Sequence, residues 1–248
     1  MSSITVSLIV FACVFGGALL GIFLRTSLPQ NHLGGDSKDI VKLGMGLVGT
    51  MAALVLGLLV ASAKGSYDAQ SAELTQMSAN ITLLDRVLAH YGPETKETRA
   101  MVRGTVVRLL DQMWSKDGTP LPPLSAGGEI LYDKIQELSP KNDAQRSLQS
   151  QALSLTLDVG KTRLLMYAQG TTSVSMPLLV VLVLWLTVIF ISFGLFAPFN
   201  ATVVASLFVS ALSVSGAIFL ILEMYSPYSG TIQLSSAPLR AVLANLGQ

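Results

Sequence analysis

Four runs of apolar residues, at 4–24, 43–63, 178–196 and 201–222, contain no Lys, Arg, Asp or Glu. Each is close to the ~20 residues that an α-helix needs to cross a hydrocarbon core about 30 Å thick. A soluble domain does not place four such runs in 248 residues. The chain therefore reads as an integral membrane protein, all α, with its function at or across a bilayer.

Composition agrees, since only 12% of residues are charged against about 25% in soluble domains. The net charge of +1 gives no basic or acidic excess of the kind that marks a nucleic-acid partner. The single cysteine, Cys13, excludes an intrachain disulfide and a cysteine-based metal cluster. The first apolar run is longer than the hydrophobic segment of a signal peptide, and Met1, Ser2 and Ser3 before it carry no positive side chain. It is expected to be a retained helix. Phe11 and Ala12 are a poor approach to an acylated Cys13.

The runs fall into two pairs separated by a polar block. The division expected is a first transmembrane pair at 1–63, a helical block at 64–175, a second pair at 176–222 and a tail at 223–248. The first pair is joined by 25–42, which holds Pro29, Asn31, Gly34, Gly35 and Asp36 and reads as an irregular loop. The second is joined by only Ala197, Pro198, Phe199 and Asn200. Pro198 stops the third span, and Asn200 is a natural N-cap for the fourth.

The block holds twelve of the sixteen basic and twelve of the fifteen acidic residues, so it is neutral and well solvated. Leu74, Met77, Ile81, Leu84 and Leu88 form a stripe at helical spacing. The second span is expected to run on into that stripe as one long helix ending at Gly92 and Pro93. A further helix starts near Glu94, where Glu94 and Glu97 suit the positive end of its dipole, and stops at Gly118. Residues 120–123 are a proline-rich spacer. A short helix is expected at about 129–138, and a last one from Asn142 toward Pro177. Counting Lys and Arg near the span ends gives three on one side and four on the other, which does not fix orientation. Four spans do put both termini and the block on one face.

The glycines at 44, 46 and 49 match a dinucleotide-binding fingerprint, but that site needs a preceding strand, and these open an apolar helix. Gly46, Thr50, Ala53, Gly57 and Ala61 instead make one face of the second span small-sided. Such a face serves close helix packing or a pore wall; spacing alone favours packing. Gly17 and Gly21 form a second small-xxx-small pattern, read as packing. Glu223 and Lys64 sit at span ends, where a charge reaches the headgroup region; each reads as a boundary residue, with a place on an ion pathway as the alternative. His32 and His90 have no second histidine at ligand spacing, and no hydrolase or nucleotide motif is present. No catalytic residue, metal ligand or cofactor is expected.

Several stretches together resemble the bestrophin-like membrane proteins of bacteria and plants. These are 49–60 with Tyr67 and Asp68; His90, Tyr91, Gly92, Pro93 and Glu94 with Arg99; 219–223; Pro227 to Gly230 with Thr231 and Ile232; and Pro238, Leu239 and Arg240. In one respect the chain departs from that pattern, carrying Tyr225 where an acidic residue is common two positions before the proline. The resemblance implies a homo-oligomer, pentameric by analogy with bestrophins proper, in a bacterial inner or plasma membrane, with the block and both termini cytoplasmic. It implies an ion channel whose pore is lined by Gly46, Thr50, Ala53, Gly57 and Ala61, with Lys64 at the cytoplasmic mouth and Glu223, Pro227 and Gly230 bracing that end. Its partners would be lipid and inorganic ions, not nucleic acid. The alternative is a non-conducting scaffold or sensor that binds a soluble partner through the block.

Overall fold

A computed structural model of the protein describes residues 2–29, 35–114, 126–170, 174–228 and 230–247. The spacer at 120–123, the stop at Gly118 and the linker residues Asn31, His32 and Gly34 lie outside the described residues. Among those described there is no strand. The helices are α1 (Ser3–Ser27), α2 (Gly35–Tyr91), α3 (Lys96–Met113), α4 (Ala126–Gln136), α5 (Asp143–Gly170), α6 (Met176–Phe196), α7 (Ala201–Met224) and α8 (Ala237–Asn245). Four of them, α1, α2, α6 and α7, are long and apolar enough to cross a membrane. Helices satisfy every backbone N–H and C=O within the segment, which a hydrocarbon environment demands.

Two boundaries differ from the expectation. The loop expected over 25–42 is mostly helical, because α1 continues to Ser27 and α2 begins at Gly35. Nothing between Lys38 and Lys42 breaks a helix, and Asp39 near the start of α2 suits its dipole. The helix expected to climb from Asn142 to Pro177 ends at Gly170, and α6 starts afresh with Pro177 in its first turn, where the missing N–H costs nothing. The capping expected at Asn200 is present: its Oδ1 accepts from the Val203 N–H at 2.8 Å.

The chain forms two compact units. One comprises Met1–Gly65 and Ser173–Tyr225, and the other Ser66–Thr172 and Ser226–Gln248. In the first, helices adjacent in sequence are not the tightest neighbours. α1 packs most closely along α6 and then along α7. The reason is steric. A Cβ at Gly21 would strike the Ile191 carbonyl, one at Gly194 would strike the Ala18 carbonyl, and one at Gly17 would lie 3.0 Å from the Thr187 methyl. Backbone touches backbone at these points, the arrangement small residues allow where lipid offers no hydrophobic drive. Against α7, the Ser215 hydroxyl donates to the Ser7 carbonyl at 2.6 Å, and Phe208 meets the stacked pair Phe11 and Phe15 edge-on, with centroids 5.4–5.6 Å apart. The Arg25 guanidinium donates to the Ala197 carbonyl at the end of α6, occupying an acceptor that the helix terminus leaves open.

The second unit has its own core. Leu74, Met77, Ile81, Leu84 and Leu88 of α2, the stripe read from the sequence, are all buried with Val102, Val106, Leu109 and Met113 of α3. The α2–α3 corner is made by Gly92, whose φ of 138° is open only to glycine without strain. The Thr95 hydroxyl lies 2.5 Å from the Leu88 carbonyl and 2.8 Å from that of Gly92. Across the corner, Arg99 binds Asp85 through two bonds of 2.8 Å, the planar fork that matches a carboxylate. Glu94 pairs with Lys141 at 2.7 Å, which holds the Glu94 carboxyl below its usual range.

The C-terminal residues, read from the sequence as a tail, belong to this core through α8. Leu239, Val242 and Leu246 are buried in it. Arg103 reaches the Leu243 and Leu246 carbonyls at 3.4 and 3.1 Å, and the Gly247 N–H points to Asp85 Oδ2 at 3.4 Å. The Trp114 Nε1 donates to the Leu234 carbonyl at 2.9 Å, and its ring meets that of Tyr228 edge-on.

Three outcomes follow from this packing. Gly21→Val destabilises the purified protein by roughly 1–3 kcal/mol through overpacking, whereas Gly16→Ala, whose Cβ meets nothing within 4 Å, stays within about 0.5 kcal/mol; thermal unfolding in detergent compares them. Arg99→Leu strands a carboxylate that is 4% exposed and costs about 3 kcal/mol. The double variant Asp85→Leu/Arg99→Leu costs less than the sum of the singles in a double-mutant cycle.

The third concerns pH. The Tyr228 hydroxyl is buried and finds no partner among the described residues. Burial, reinforced by the Glu73 carboxylate, raises its pKa. A raised pKa gives stability that is complete below the unfolded value, near pH 10, and lost as pH rises toward the folded one. Tyr228→Phe therefore leaves neutral stability unchanged or higher and extends folding to higher pH, as read by circular dichroism against pH.

Candidate functional site: the exposed face of the second helix

The candidate site is built on the part of α2 that belongs to the first unit. Ala52, Leu59 and Ala63 are buried in the core of that unit with Leu182, Ile218 and Ile221, and Val55 and Leu56 lie against them. Every residue of the small-sided stripe is exposed: Gly46, Thr50, Ala53, Gly57, Ala61 and, at its end, Lys64. A Cβ built at Gly46, Gly49 or Gly57 meets nothing within 4 Å.

The two glycine patterns differ in what lies against them. Gly17, Gly21 and Gly194 are small because another backbone lies against them. The α2 glycines at 44, 46, 49 and 57 have no such neighbour among the described residues of the same chain. Only 11% of the apolar window of α2 is buried, against 28–33% for the other three spans.

The exposed side of α2 is itself divided. At about 100° per residue, the small stripe lies roughly a third of a turn from the buried face, and a bulky stripe occupies the remaining sector. Leu43, Leu47, Met51, Leu54 and Leu58 form that second stripe and are all exposed, at 48–77%. α2 thus presents one face to its own copy, one that is small and one that is large and apolar. The Thr50 hydroxyl donates to the Leu47 carbonyl at 2.7 Å. The stripe carries no ionisable group between Gly46 and Ala61, so it offers space and an apolar or weakly polar wall instead of a fixed charge.

The far end of this stretch is held by a contact the sequence did not announce. The Ser62 hydroxyl lies 2.9 Å from that of Tyr225, immediately after α7. The position at which the chain departs from the bestrophin-like pattern is thus occupied by a phenol bonded to the helix bearing the small stripe. The signal available in the sequence was only the departure itself.

Glu223 differs from its sequence reading. A boundary carboxylate reaching for headgroups would be exposed, but Glu223 is 4% exposed. It lies off the face of α7 that carries the buried Ile218 and Ile221, and is buried all the same. Burying a carboxylate is costly unless the fold supplies polar partners, so Glu223 is part of the built interior of the first unit.

Pro227 and Gly230, expected at the same end, lie in the other unit. Pro227 is buried, and its carbonyl accepts from the Leu234 N–H at 2.8 Å. Gly230 has a φ of 112°, so these residues form the turn that delivers α8 to its core. The segment from Tyr91 to Arg99 is likewise the structural α2–α3 corner. No group of three or more His, Cys, Asp and Glu side chains able to hold a metal occurs among the described residues.

No curated protein and no solved structure matches the chain. A family match does exist, over almost the whole length, covering α1 from residue 12, the other three apolar helices, the α2–α3 corner and the start of α8. By this match to the bestrophin-like domain over residues 12–239, the chain belongs to the bestrophin-like family.

Proposed function

We propose that the protein is a homo-oligomeric ion channel of the bestrophin-like type, with the small-sided face of α2 lining the pore. The observation that carries this reading is that Gly46, Thr50, Ala53, Gly57 and Ala61 are all exposed beside a helix face buried in its own copy. Copies arranged about an axis give each face of α2 a use. The buried face holds the helix to its own unit, and the bulky stripe meets a neighbouring copy. The small stripe turns to the axis, where short side chains leave room for an ion and its water.

A pore so lined has no fixed charge to choose the sign of the ion, and an apolar stretch of this kind can gate by dewetting. Lys64 stands at the mouth, in line with the stripe, and the contact between Ser62 and Tyr225 fixes the helix just before it. By analogy with bestrophins the assembly is a pentamer in a bacterial inner membrane. The unit built on 66–172 and both termini then lie in the cytoplasm. The reaction is passive conduction; no enzyme chemistry is assigned.

A second reading rests on the same exposure. The small stripe would serve close packing between copies, giving a scaffold or sensor without a pathway. Planar-bilayer recording of the purified protein separates the two. A channel gives unitary currents, and Ala53→Asp or Gly57→Asp shifts the reversal potential toward that of cations while the oligomer remains intact on size-exclusion chromatography. Absence of current across pH, salt and calcium conditions, or variants that lose assembly and nothing else, sinks the channel reading in favour of packing.

A further inference from the structure

The second unit contains a cavity that neither its packing nor the proposed channel explains. It has a volume of about 450 Å³ and lies between α2, α3, α4 and α5, within the ~300–1,000 Å³ range of small-molecule sites. Its wall is aliphatic: Met77, Ile81, Val102, Val106, Leu109 and Leu131 line it, and each is buried. These same residues make up much of the core of the unit, so the cavity reaches into the core from a partly open mouth. Gly160 of α5 helps to open it, because a Cβ there would meet nothing within 4 Å.

The polar groups in the wall restrict what fits. The two threonines are already engaged: Thr105 donates to the Met101 carbonyl at 2.9 Å and Thr156 to the Ala152 carbonyl at 2.8 Å. Apart from Tyr132, the wall thus offers a ligand neither a directional hydroxyl donor nor an aromatic ring to stack on. That suits a hydrocarbon chain better than a heterocycle or a sugar. Charge is concentrated nearer the edge. Glu129 and Asp133 of α4 and Lys161 of α5 are exposed, whereas Arg163 is half-buried. Its guanidinium donates to Gln112 Oε1 at 3.2 Å, and burial pushes its pKa down. An anionic headgroup would counter that penalty, because an opposite charge favours the ionised guanidinium. Leu157 and Leu164, both exposed, flank the same stretch of α5.

We propose that this cavity binds the hydrocarbon chain of a long-chain fatty-acyl anion, with its carboxylate at Arg163 and Lys161. The bilayer supplies such molecules, and the site lies outside the four apolar spans. The inference does not rest on the channel reading, since a scaffold with this unit would hold the same cavity.

The test is photolabelling of the full-length protein in lipid nanodiscs with a diazirine-bearing palmitate, the labelled peptides being mapped by mass spectrometry. The expected label falls on α3 and α5 and is competed by palmitate. Gly160→Phe, which fills the space from a position with no clash, reduces labelling there at least about fivefold, while circular dichroism and size-exclusion chromatography stay unchanged. Arg163→Gln weakens competition by palmitate about tenfold, as loss of one charge-assisted bond implies, and leaves competition by hexadecanol as it was. Label confined to 3–27 and 176–224, or label on α3 and α5 indifferent to Gly160→Phe, overturns the site. Equal competition by palmitate and hexadecanol in both the parent and Arg163→Gln overturns the anion. Should Gly160→Phe fail to fold, Gly160→Leu, with a smaller side chain at the same open position, decides the outcome by the same labelling.

Discussion

The first unit depends on the backbone contact between α1 and α6. In lipid there is no gain from hiding one leucine against another, so helices associate where they approach closely enough for dispersion and dipoles to act. Gly17, Gly21 and Gly194 allow that approach at three points along one seam. With α1 committed to α6 on that side, its remaining surface takes α7 through Ser215, Ser7 and the three phenylalanines. α2 contributes only its narrow alanine and leucine face to the same core. The exposure of its small stripe is thus a consequence of where the other glycines spend themselves.

The second unit is organised by a polar contact instead. Asp85 is nearly inaccessible, accepts a two-pronged bond from Arg99 and faces the Gly247 N–H. One carboxylate thereby ties α2, α3 and the residues after α8 together. The burial of Leu84 and Leu88 beside it supplies the apolar drive, while the pair limits which register of α2 against α3 satisfies both. Gly92 and Thr95 close the corner between them.

Most of the residues that carry the bestrophin-like resemblance fall into two physical groups. Those from Tyr91 to Arg99 and from Pro227 to Arg240 build the second unit, by way of a positive-φ corner, a buried ion pair and a turn that delivers α8. Those along 49–60 divide between the face of α2 buried in the first unit, with Ala52 and Leu59, and the faces its own copy leaves open. A motif found by pattern can therefore mark a structural device as readily as a site. Burial, not the pattern, separates them here.

Sequence alone determined the four spans, the continuous helix through Lys64 to Tyr91, the break at Gly92 and Pro93 and the cap at Asn200. Each rests on local physics: chain length against bilayer thickness, periodicity, and the backbone limits of glycine, proline and asparagine. Tertiary structure decided the rest. Two glycine patterns of the same spacing, at Gly17 and Gly21 and along α2, have opposite surroundings within the chain, because spacing records which residues share a face but not what lies against it. The burial of Glu223, the role of Trp114 and the docking of α8 were equally hidden, since each depends on partners distant in the chain. Composition could identify α2 as a membrane helix; only the packing of the other helices determined which of its faces remained open.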